Sequence, residues 1–227
     1  MKNSVVLFFI CILHNIVLAD NFDKIYYFND DYVFVKTVYN KKNCIVARQE
    51  YRVKETDTKF GEKKVTGETI TIKNGKRTET TSSTFLCDAN RLMISLGKSK
   101  TGQNVFIDYP LNYSAGRKII PSAEFITVAN IAGKSIKLNC KISNRFVSSA
   151  SEKVHTKFGT FQSVKYEYDM ELKGGVLGIN IPVNVHVIEW FSNNTGVIRT
   201  DIYRAGKLHE RRELSEMMNR KLLTENK

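Results

Sequence analysis

The stretch Val164–Leu172 alternates strictly between apolar and polar residues, and this pattern constrains the fold most. Its even positions are Val164, Tyr166, Tyr168, Met170 and Leu172, and its odd positions are Lys165, Glu167, Asp169 and Glu171. A period of two over nine residues is typical of a β-strand that buries one face. We therefore expect the side chains at the even positions to point toward the inner side of a sheet, where they pack the core or line a ligand cavity.

The residues after this strand predict further antiparallel strands joined by short turns. An apolar run reaches Val187, but Glu189 then falls on the apolar side while Trp190 is apolar on the other parity. A β-bulge at this point would restore a single inner face. A turn at residues 193–196 leads into a further strand at 197–203. The C-terminal half is therefore predicted to be an antiparallel meander.

The N-terminal half also predicts strands, whereas two later segments are interpreted differently. Asn74-Gly75 between Val65–Lys73 and Lys76–Cys87 is a strong hairpin signal, because both central residues of a type I′ turn need a positive φ. The region Asn90–Asn130, which contains prolines and several glycines, is predicted to form loops with one short helix or strand. A short C-terminal helix is predicted from Glu210 onward by the spacing of Leu214, Met217, Met218 and Leu222.

The first 19 residues have the features of a secretory signal peptide. Lys2 precedes an apolar core, and Val17 and Ala19 are the small residues expected before a cleavage site. The apolar core is too short for a membrane-spanning helix. We expect cleavage after Ala19, which leaves residues 20–227 as a single β domain that is exported.

The chain is basic, with 35 Lys and Arg against 23 Asp and Glu and a formal net charge of +12. For an exported protein this charge favours an anionic membrane surface or an envelope protein as a partner, and it does not favour nucleic acid. The alternative is that the lysines keep a β protein soluble and its strand edges unpaired.

Cysteine and histidine spacing predicts no metal site, cofactor site or catalytic site. Apart from Cys11 in the leader, the cysteines are Cys44, Cys87 and Cys140. A Cys44–Cys87 disulfide and three buried free thiols are both compatible with the sequence. No histidine pairs with a cysteine at structural zinc spacing, and no nucleophile–base arrangement is legible. We therefore do not expect an enzyme.

Several short motifs, in their order and spacing, resemble the TapB-like family of exported bacterial envelope proteins. They are Asn144-Arg145-Phe146, Gly159-Thr160-Phe161, Glu189-Trp190-Phe191, Gly196-Val197-Ile198-Arg199, Tyr203 and Gly206-Lys207-Leu208. That family is close to a larger exported family described as a domain of unknown function. The resemblance implies a mainly β fold with a strongly curved antiparallel sheet, a half-barrel or barrel-like meander similar to lipoprotein localisation factors. It also implies the periplasm or envelope of a Gram-negative bacterium.

These patterns lead to two functional hypotheses. The first is a non-catalytic binding module that holds an apolar or lipid-like ligand against Tyr166, Tyr168, Met170 and Leu172, with Trp190 lining the pocket or closing one end of the sheet. The second is a structural or interaction protein of the envelope with a filled sheet core. A glutamate at position 189 is interpreted as the partner of Arg199 across a hairpin, with a buried acid–base role as the alternative.

Overall fold

The computed structural model describes residues 25–59, 62–88, 91–110, 114–116, 122–131, 134–176, 179–193 and 195–220. The predicted signal peptide lies outside these residues. After a short 3-10 turn at Tyr26–Phe28, the described chain forms twelve strands: β1 (Tyr32–Asn40), β2 (Ile45–Lys59), β3 (Glu62–Lys73), β4 (Lys76–Asp88), β5 (Arg91–Lys98), β6 (Asn104–Pro110), β7 (Ala123–Ile131), β8 (Lys134–His155), β9 (Thr160–Val176), β10 (Ile179–Ser192), β11 (Gly196–Arg204) and β12 (Lys207–Asn219).

The strands form a closed antiparallel barrel. The order around the sheet is β4-β3-β2-β1-β12-β11-β10-β9-β8-β7-β5, and β4 also pairs with β5, which closes a ring of eleven strands. Among the described strands β6 pairs with β5 only, and its Ile107 and Tyr109 are buried in the core. Closure gives β4 a hydrogen-bonded neighbour on each side, β3 and β5.

The fold class predicted from sequence is wrong in part. The sheet is a closed barrel and not an open half-barrel, because the β4–β5 pairing completes the ring, in agreement with the barrel-like alternative. In the described residues the predicted short C-terminal helix is not present, since Lys207–Asn219 is strand β12, and the part of the predicted segment from residue 221 lies outside them. This strand is hydrogen-bonded on both sides, to β1 and to β11. Two ladders of tertiary hydrogen bonds outweigh the marginal stability of a short isolated helix.

The antiparallel meander and the Asn74-Gly75 hairpin are confirmed. Strands β8 to β12 pair consecutively and antiparallel. Asn74 and Gly75 have φ values of 50° and 72°, and Lys73 pairs directly with Lys76, as in a two-residue type I′ turn. The region 90–130 differs from its prediction, because it supplies strands β5, β6 and β7 in place of loops.

Strand β9 has the predicted inner and outer faces. Val164, Tyr166 and Tyr168 are buried, and Met170 and Leu172 are partly buried against the same core. Strand β10 pairs with β9 from Ile179 to Phe191 without any register shift, so the predicted bulge near Val187 is absent on this side. The register shift of β10 lies on its β11 side, between Trp190 and Phe191. As a consequence Glu189 stays on the inner face.

None of the three cysteines in the described part of the chain forms a disulfide. Cys44 is exposed at the turn between β1 and β2, whereas Cys87 and Cys140 are buried. Burial raises the pKa of Cys140 to about 11 and raises the pKa of Cys87 as well. The two buried thiols are therefore protonated, unreactive core residues.

Candidate functional site

The barrel holds a cavity of about 380 Å³ that is partly open to solvent. One part of its wall is apolar and aromatic, and another part carries charges and hydroxyl groups. The apolar and aromatic side chains are Tyr27, Phe34, Tyr51, Phe85, Ile94, Leu96, Ile107, Met170, Val187, Val197 and Ile202. A concave site with apolar walls and a few polar groups is typical of sites for small organic ligands.

The aromatic part of the wall is held by close packing between strands β2, β3 and β4 and the N-terminal turn. The rings of Tyr27 and Phe85 are stacked with centroids 4.3 Å apart, and Tyr51 meets both rings edge-on. The Tyr51 hydroxyl donates a hydrogen bond to the Tyr27 carbonyl oxygen at 2.8 Å. A Cβ atom at Gly67 would overlap the Tyr51 ring, so a glycine at this position of β3 leaves the space that the ring fills.

The charged part of the wall follows one row across neighbouring strands. Glu189 of β10 is paired with Thr200 of β11, and Thr200 is paired with Arg212 of β12. Lys36 of β1 faces the same cavity one strand further on. Paired residues in an antiparallel sheet point to the same face, so the register brings these four side chains together inside the barrel.

Glu189 is a buried carboxylate held by tyrosine hydroxyls. The Tyr109 hydroxyl donates a hydrogen bond to Glu189 Oε2 at 2.6 Å, and Tyr168 also hydrogen-bonds this carboxylate. Burial first, and the neighbouring Glu189 charge second, raise the pKa of Tyr109 and of Tyr168 well above the ordinary value. Both tyrosines therefore remain neutral hydrogen-bond donors that satisfy the carboxylate in place of water.

Lys36 is a half-buried cation in the same cavity. Burial lowers the pKa of its ammonium group to about 8, the Glu189 charge raises it, and the Arg212 charge lowers it further. At neutral pH the group is thus protonated, but its charge is poorly solvated. The arrangement places two cations, Lys36 and Arg212, beside an apolar volume.

Arg145 lies in the barrel interior beside the cavity and holds strand β6 in place. Its neighbour Asn144 has a left-handed φ of 53° at a register shift of β8, which turns Arg145 inward. The guanidinium group lies over the rings of Tyr109 and Tyr166, 4.6 and 5.0 Å from their centroids, and donates a hydrogen bond to the Asp108 carbonyl oxygen. Its Nε and Nη2 atoms are buried without a hydrogen-bond partner. Its Nη1 atom also lies 3.6 Å from Asp108 Oδ1, so the fixed charge of Arg145 next to the cavity is paired with a carboxylate.

The structure places the five predicted ligand residues at three kinds of position. Tyr168 and Met170 line the cavity. Tyr166 is fully buried in the core, where its ring packs edge-on against Tyr109 at 5.1 Å, and Leu172 is partly buried against that core. Trp190 lies on the opposite face of β10, under the Arg199 guanidinium at 4.5 Å from its ring.

Other residues that sequence reasoning missed complete the site. Lys36, Tyr109 and Arg212 were not singled out, and Glu189 was interpreted as the partner of Arg199. The structure pairs Arg199 with Asp201 at 2.6 Å, and Arg199 lies opposite Trp190 on the outer face. A usable signal was present, because Lys36 and Glu189 are charged residues at inward positions of otherwise apolar strands.

The described residues contain no group of three or more His, Cys, Asp or Glu side chains that could hold a metal ion. Among the same residues, no helix is long and apolar enough to cross a membrane.

A family model described as DUF3108-like matches residues 32–214, which span the barrel from β1 into β12. The chain belongs to the DUF3108-like family. The match supports the larger family of unknown function, and the narrower resemblance to the TapB-like family stays a prediction. No curated protein matches the chain.

Two solved structures share the fold of this DUF3108-like chain. One is a candidate lipoprotein from Parabacteroides distasonis, with a TM-score of 0.67, 19% sequence identity and coverage of 83% of this chain and 95% of that one. The other is a candidate exported protein with a YmcC-like fold from Bacteroides fragilis, with a TM-score of 0.64, 14% identity and coverage of 83% and 96%. At these identities the similarity concerns the fold.

Proposed function

We propose that this protein is a non-catalytic binding module that holds a lipid-like ligand inside its barrel. The observation that carries the proposal is the cavity of about 380 Å³ whose wall combines apolar side chains with a charged row. A protein with a purely structural barrel gains stability by filling such a space, because each void loses packing contacts. Retention of a cavity of this size is typical of a site that takes a ligand.

Export to the envelope of a Gram-negative bacterium is part of the same proposal. The two structures with this fold are a candidate lipoprotein and a candidate exported protein of bacteria with two membranes. The leader-like residues 1–19 and the resemblance to the TapB-like family support the same location. An envelope protein with an apolar cavity meets acyl chains at both membranes, which makes a lipid-like molecule the ligand class that we favour.

The proposal is tested by mass spectrometry of small molecules that remain with the purified protein. Met170 lines the cavity, so Met170→Gln places an amide in the apolar wall and is expected to reduce bound lipid while the protein stays folded. Met93→Gln is the matched control, because Met93 adjoins the cavity residue Ile94 in β5 and points to the other face. Wild-type protein that carries no lipid, or a folded Met170→Gln variant with unchanged lipid, would contradict the proposal.

An interaction protein of the envelope is the second candidate, and an exposed surface favours it. Ile45 and Val46, at the start of β2, are 61% and 39% exposed, and Lys41 and Lys42 are exposed in the preceding turn. Apolar side chains beside cations fit an anionic membrane surface. Sedimentation with vesicles that contain anionic lipid tests this candidate, with Ile45→Ser expected to reduce the bound fraction and Val128→Ser, also exposed, as the control.

A further inference from the structure

The inner face of strands β2, β3 and β4 carries neutral polar side chains where it lines the cavity. Thr69 is paired directly with Thr81, and Ser83 follows two positions after Thr81 on the same strand. Paired residues and alternate residues point to one face of a sheet, so these three hydroxyl groups lie together. All three side chains line the cavity, and so does the amide of Gln49. We call these four residues the neutral polar patch.

The neutral polar patch has unused hydrogen-bonding groups. In the described part of the chain, no hydrogen bond is formed by the hydroxyl groups of Thr69, Thr81 and Ser83. Thr69 and Ser83 are half-buried, and Thr81 is exposed. A half-buried hydroxyl group without a partner is less favourable than an apolar side chain in the same place. Water that enters from the open side can solvate these groups, and hydroxyl groups of a ligand can replace this water with equivalent hydrogen bonds.

The charged groups of the cavity wall offset one another. Among the described side chains that line the cavity, those with a charge are Lys36, Glu189 and Arg212. Burial lowers the pKa of Lys36, and the Glu189 charge acts on the same group in the opposite direction. Glu210 accepts a hydrogen bond from Arg212 Nε at 2.7 Å. An ionic head group would meet like charges as well as opposite ones and would also lose its water. The wall therefore favours a head group without formal charge.

The apolar part of the wall continues directly from the neutral polar patch. Tyr51 is paired with Thr69, and Phe85 is the next inward residue of β4 after Ser83. The rings of Tyr51 and Phe85 meet edge-on with centroids 5.5 Å apart. Ile94 is paired with Phe85 and extends the apolar wall onto β5. A ligand with its polar end at the patch can therefore bury an apolar chain against these side chains.

We propose that the ligand is an uncharged amphiphile whose hydroxyl-bearing head group binds at the neutral polar patch and whose chain lies against Tyr51, Phe85 and Ile94. This inference rests on the proposed lipid-binding function and narrows it to one head-group chemistry. A monoacylglycerol and a single-chain glycolipid both carry this chemistry, because each joins several hydroxyl groups to one apolar chain. The hydroxyl groups of such a head group donate to and accept from the threonine and serine hydroxyls.

The test compares amphiphiles of equal chain length by titration calorimetry on the delipidated protein. The hydroxylated probes are monododecanoylglycerol and dodecyl glucoside, and the comparison probes are methyl dodecanoate, dodecanoate and dodecyltrimethylammonium. The cationic probe is included because Glu79 lies on the same face of β4, two positions before Thr81. At least one hydroxylated probe is expected to bind about 10-fold more tightly than methyl dodecanoate, because two additional neutral hydrogen bonds contribute roughly that factor. The tighter of the two distinguishes a glycerol from a sugar head group.

Two variants assign the head group to the neutral polar patch. Thr69→Val and Ser83→Ala each remove one hydroxyl group from the cavity wall. Each is expected to weaken binding of the hydroxylated probe roughly 2- to 10-fold and to leave methyl dodecanoate unchanged. Thr80→Val and Ser82→Ala are the matched controls, because both residues are exposed and point to the other face of β4, and they are expected to change no affinity.

The outcomes separate this inference from the broader function. Equal binding of methyl dodecanoate, or tighter binding of dodecanoate or of the cationic probe, overturns the head-group assignment while lipid binding stands. Unchanged affinity of both patch variants for the hydroxylated probes overturns it as well. Failure of all probes to bind overturns the proposed function itself. If one patch variant does not fold by circular dichroism, the other variant and the comparison of probes on the wild type still decide the question.

Discussion

The Tyr109 hydroxyl donates a 2.6 Å hydrogen bond to Glu189, a residue 80 positions away in the sequence. This contact joins strand β6 to the barrel wall formed by β10. The Tyr109 ring also stacks on the Phe191 ring, with centroids 5.2 Å apart, and the Arg145 guanidinium lies 4.6 Å from the Tyr109 centroid. Within the described residues β6 has β5 as its one strand partner, and these side-chain contacts help to position it against the cavity.

Removal of the Tyr109 hydroxyl is expected to destabilise the protein. Tyr109→Phe keeps the ring but takes one donor from a buried carboxylate, which should lower the free energy of unfolding by about 1.5–3 kcal/mol. Chemical denaturation measures the change. Tyr203→Phe is the matched control, because no hydrogen bond of the Tyr203 hydroxyl is present in the described part of the chain, and it should change stability by less than about 0.5 kcal/mol. Equal effects of the two variants would show that Glu189 does not depend on Tyr109.

The contribution of the Asn74-Gly75 turn to stability is expected to depend on its backbone conformation and not on side-chain packing around it. Gly75 has a φ of 72°, and a Cβ atom there would meet no atom within 4 Å. Gly75→Val should therefore cost about 1–3 kcal/mol from backbone strain alone. Thermal unfolding measures the loss, and Lys76→Val at the next, exposed position is the control. A variant as stable as the control would mean that the turn can adopt another conformation at no cost.

Asp201 is expected to make folding stability depend on pH in the acid range. Burial tends to raise the pKa of this carboxyl, but hydrogen bonds from Arg199 and Arg211 outweigh burial and hold the pKa below its ordinary value. A lowered folded-state pKa gives stability that is present above the unfolded value of about 3.9 and lost as the pH falls through the folded value. Asp201→Asn should cost roughly 1–3 kcal/mol at pH 7.

The cost of Asp201→Asn should shrink below about pH 4, because the wild type then loses the same interactions by protonation. Urea unfolding of both proteins at pH 7 and pH 3 measures the difference. A cost that stays constant across this range would assign the effect of the substitution to packing.

Lys36 is expected to make stability rise with pH as well, but in the alkaline range. Its pKa of about 8 in the folded protein lies below its ordinary 10.5. Between these values the unfolded chain binds more protons at this residue, so the wild type gains stability as the pH rises. In Lys36→Met this gain should be absent, and the stability difference between the two proteins should change by about 2 kcal/mol from pH 7 to pH 10.5. Lys76→Met, at an exposed position, is the control, and parallel curves for Lys36→Met and wild type would contradict the prediction.

The sequence predicted the parts of the barrel where the inner face is apolar. In Val164–Leu172 the alternation identifies both the strand and its inner side, because a packed core requires apolar residues at every second position. The Asn74-Gly75 turn could be predicted equally well, since its conformation depends on local backbone sterics.

The parts that sequence reasoning missed are those where the inner face lines the cavity. In β12 the inward residues include Glu210, Arg212 and Leu214, and the two charged residues conceal the period of two. The remaining apolar residues then fit a helix by spacing alone. For the same reason, a β-bulge was predicted after Val187, and Glu189 was not predicted to line the cavity. A charged residue at an inward strand position breaks the pattern from which a strand is recognised, and Glu189 and Arg212 also line the cavity.

The closure of the barrel was not predictable from local patterns. It depends on pairs such as Tyr39 with Arg211 and Phe85 with Ile94, which reflect the number and tilt of strands around the ring. The inward position of Arg145 was likewise not predicted, and the residue was named only as part of a motif. Its direction follows from the left-handed conformation of Asn144.

The pairing of β1 with β12 also sets the order in which the molecule can be completed. The first strand after the N-terminal turn remains without one of its two neighbours until the last strand has been synthesised and, in an exported chain, translocated. Contacts between residues so far apart close a loop of nearly the whole chain, which makes this step slow relative to the hairpins. Until then, β1 and β11 each present an open edge on which another chain could pair. Loss of the final strand would therefore affect solubility across the whole molecule, and the period before closure is when a folding helper would be of most use.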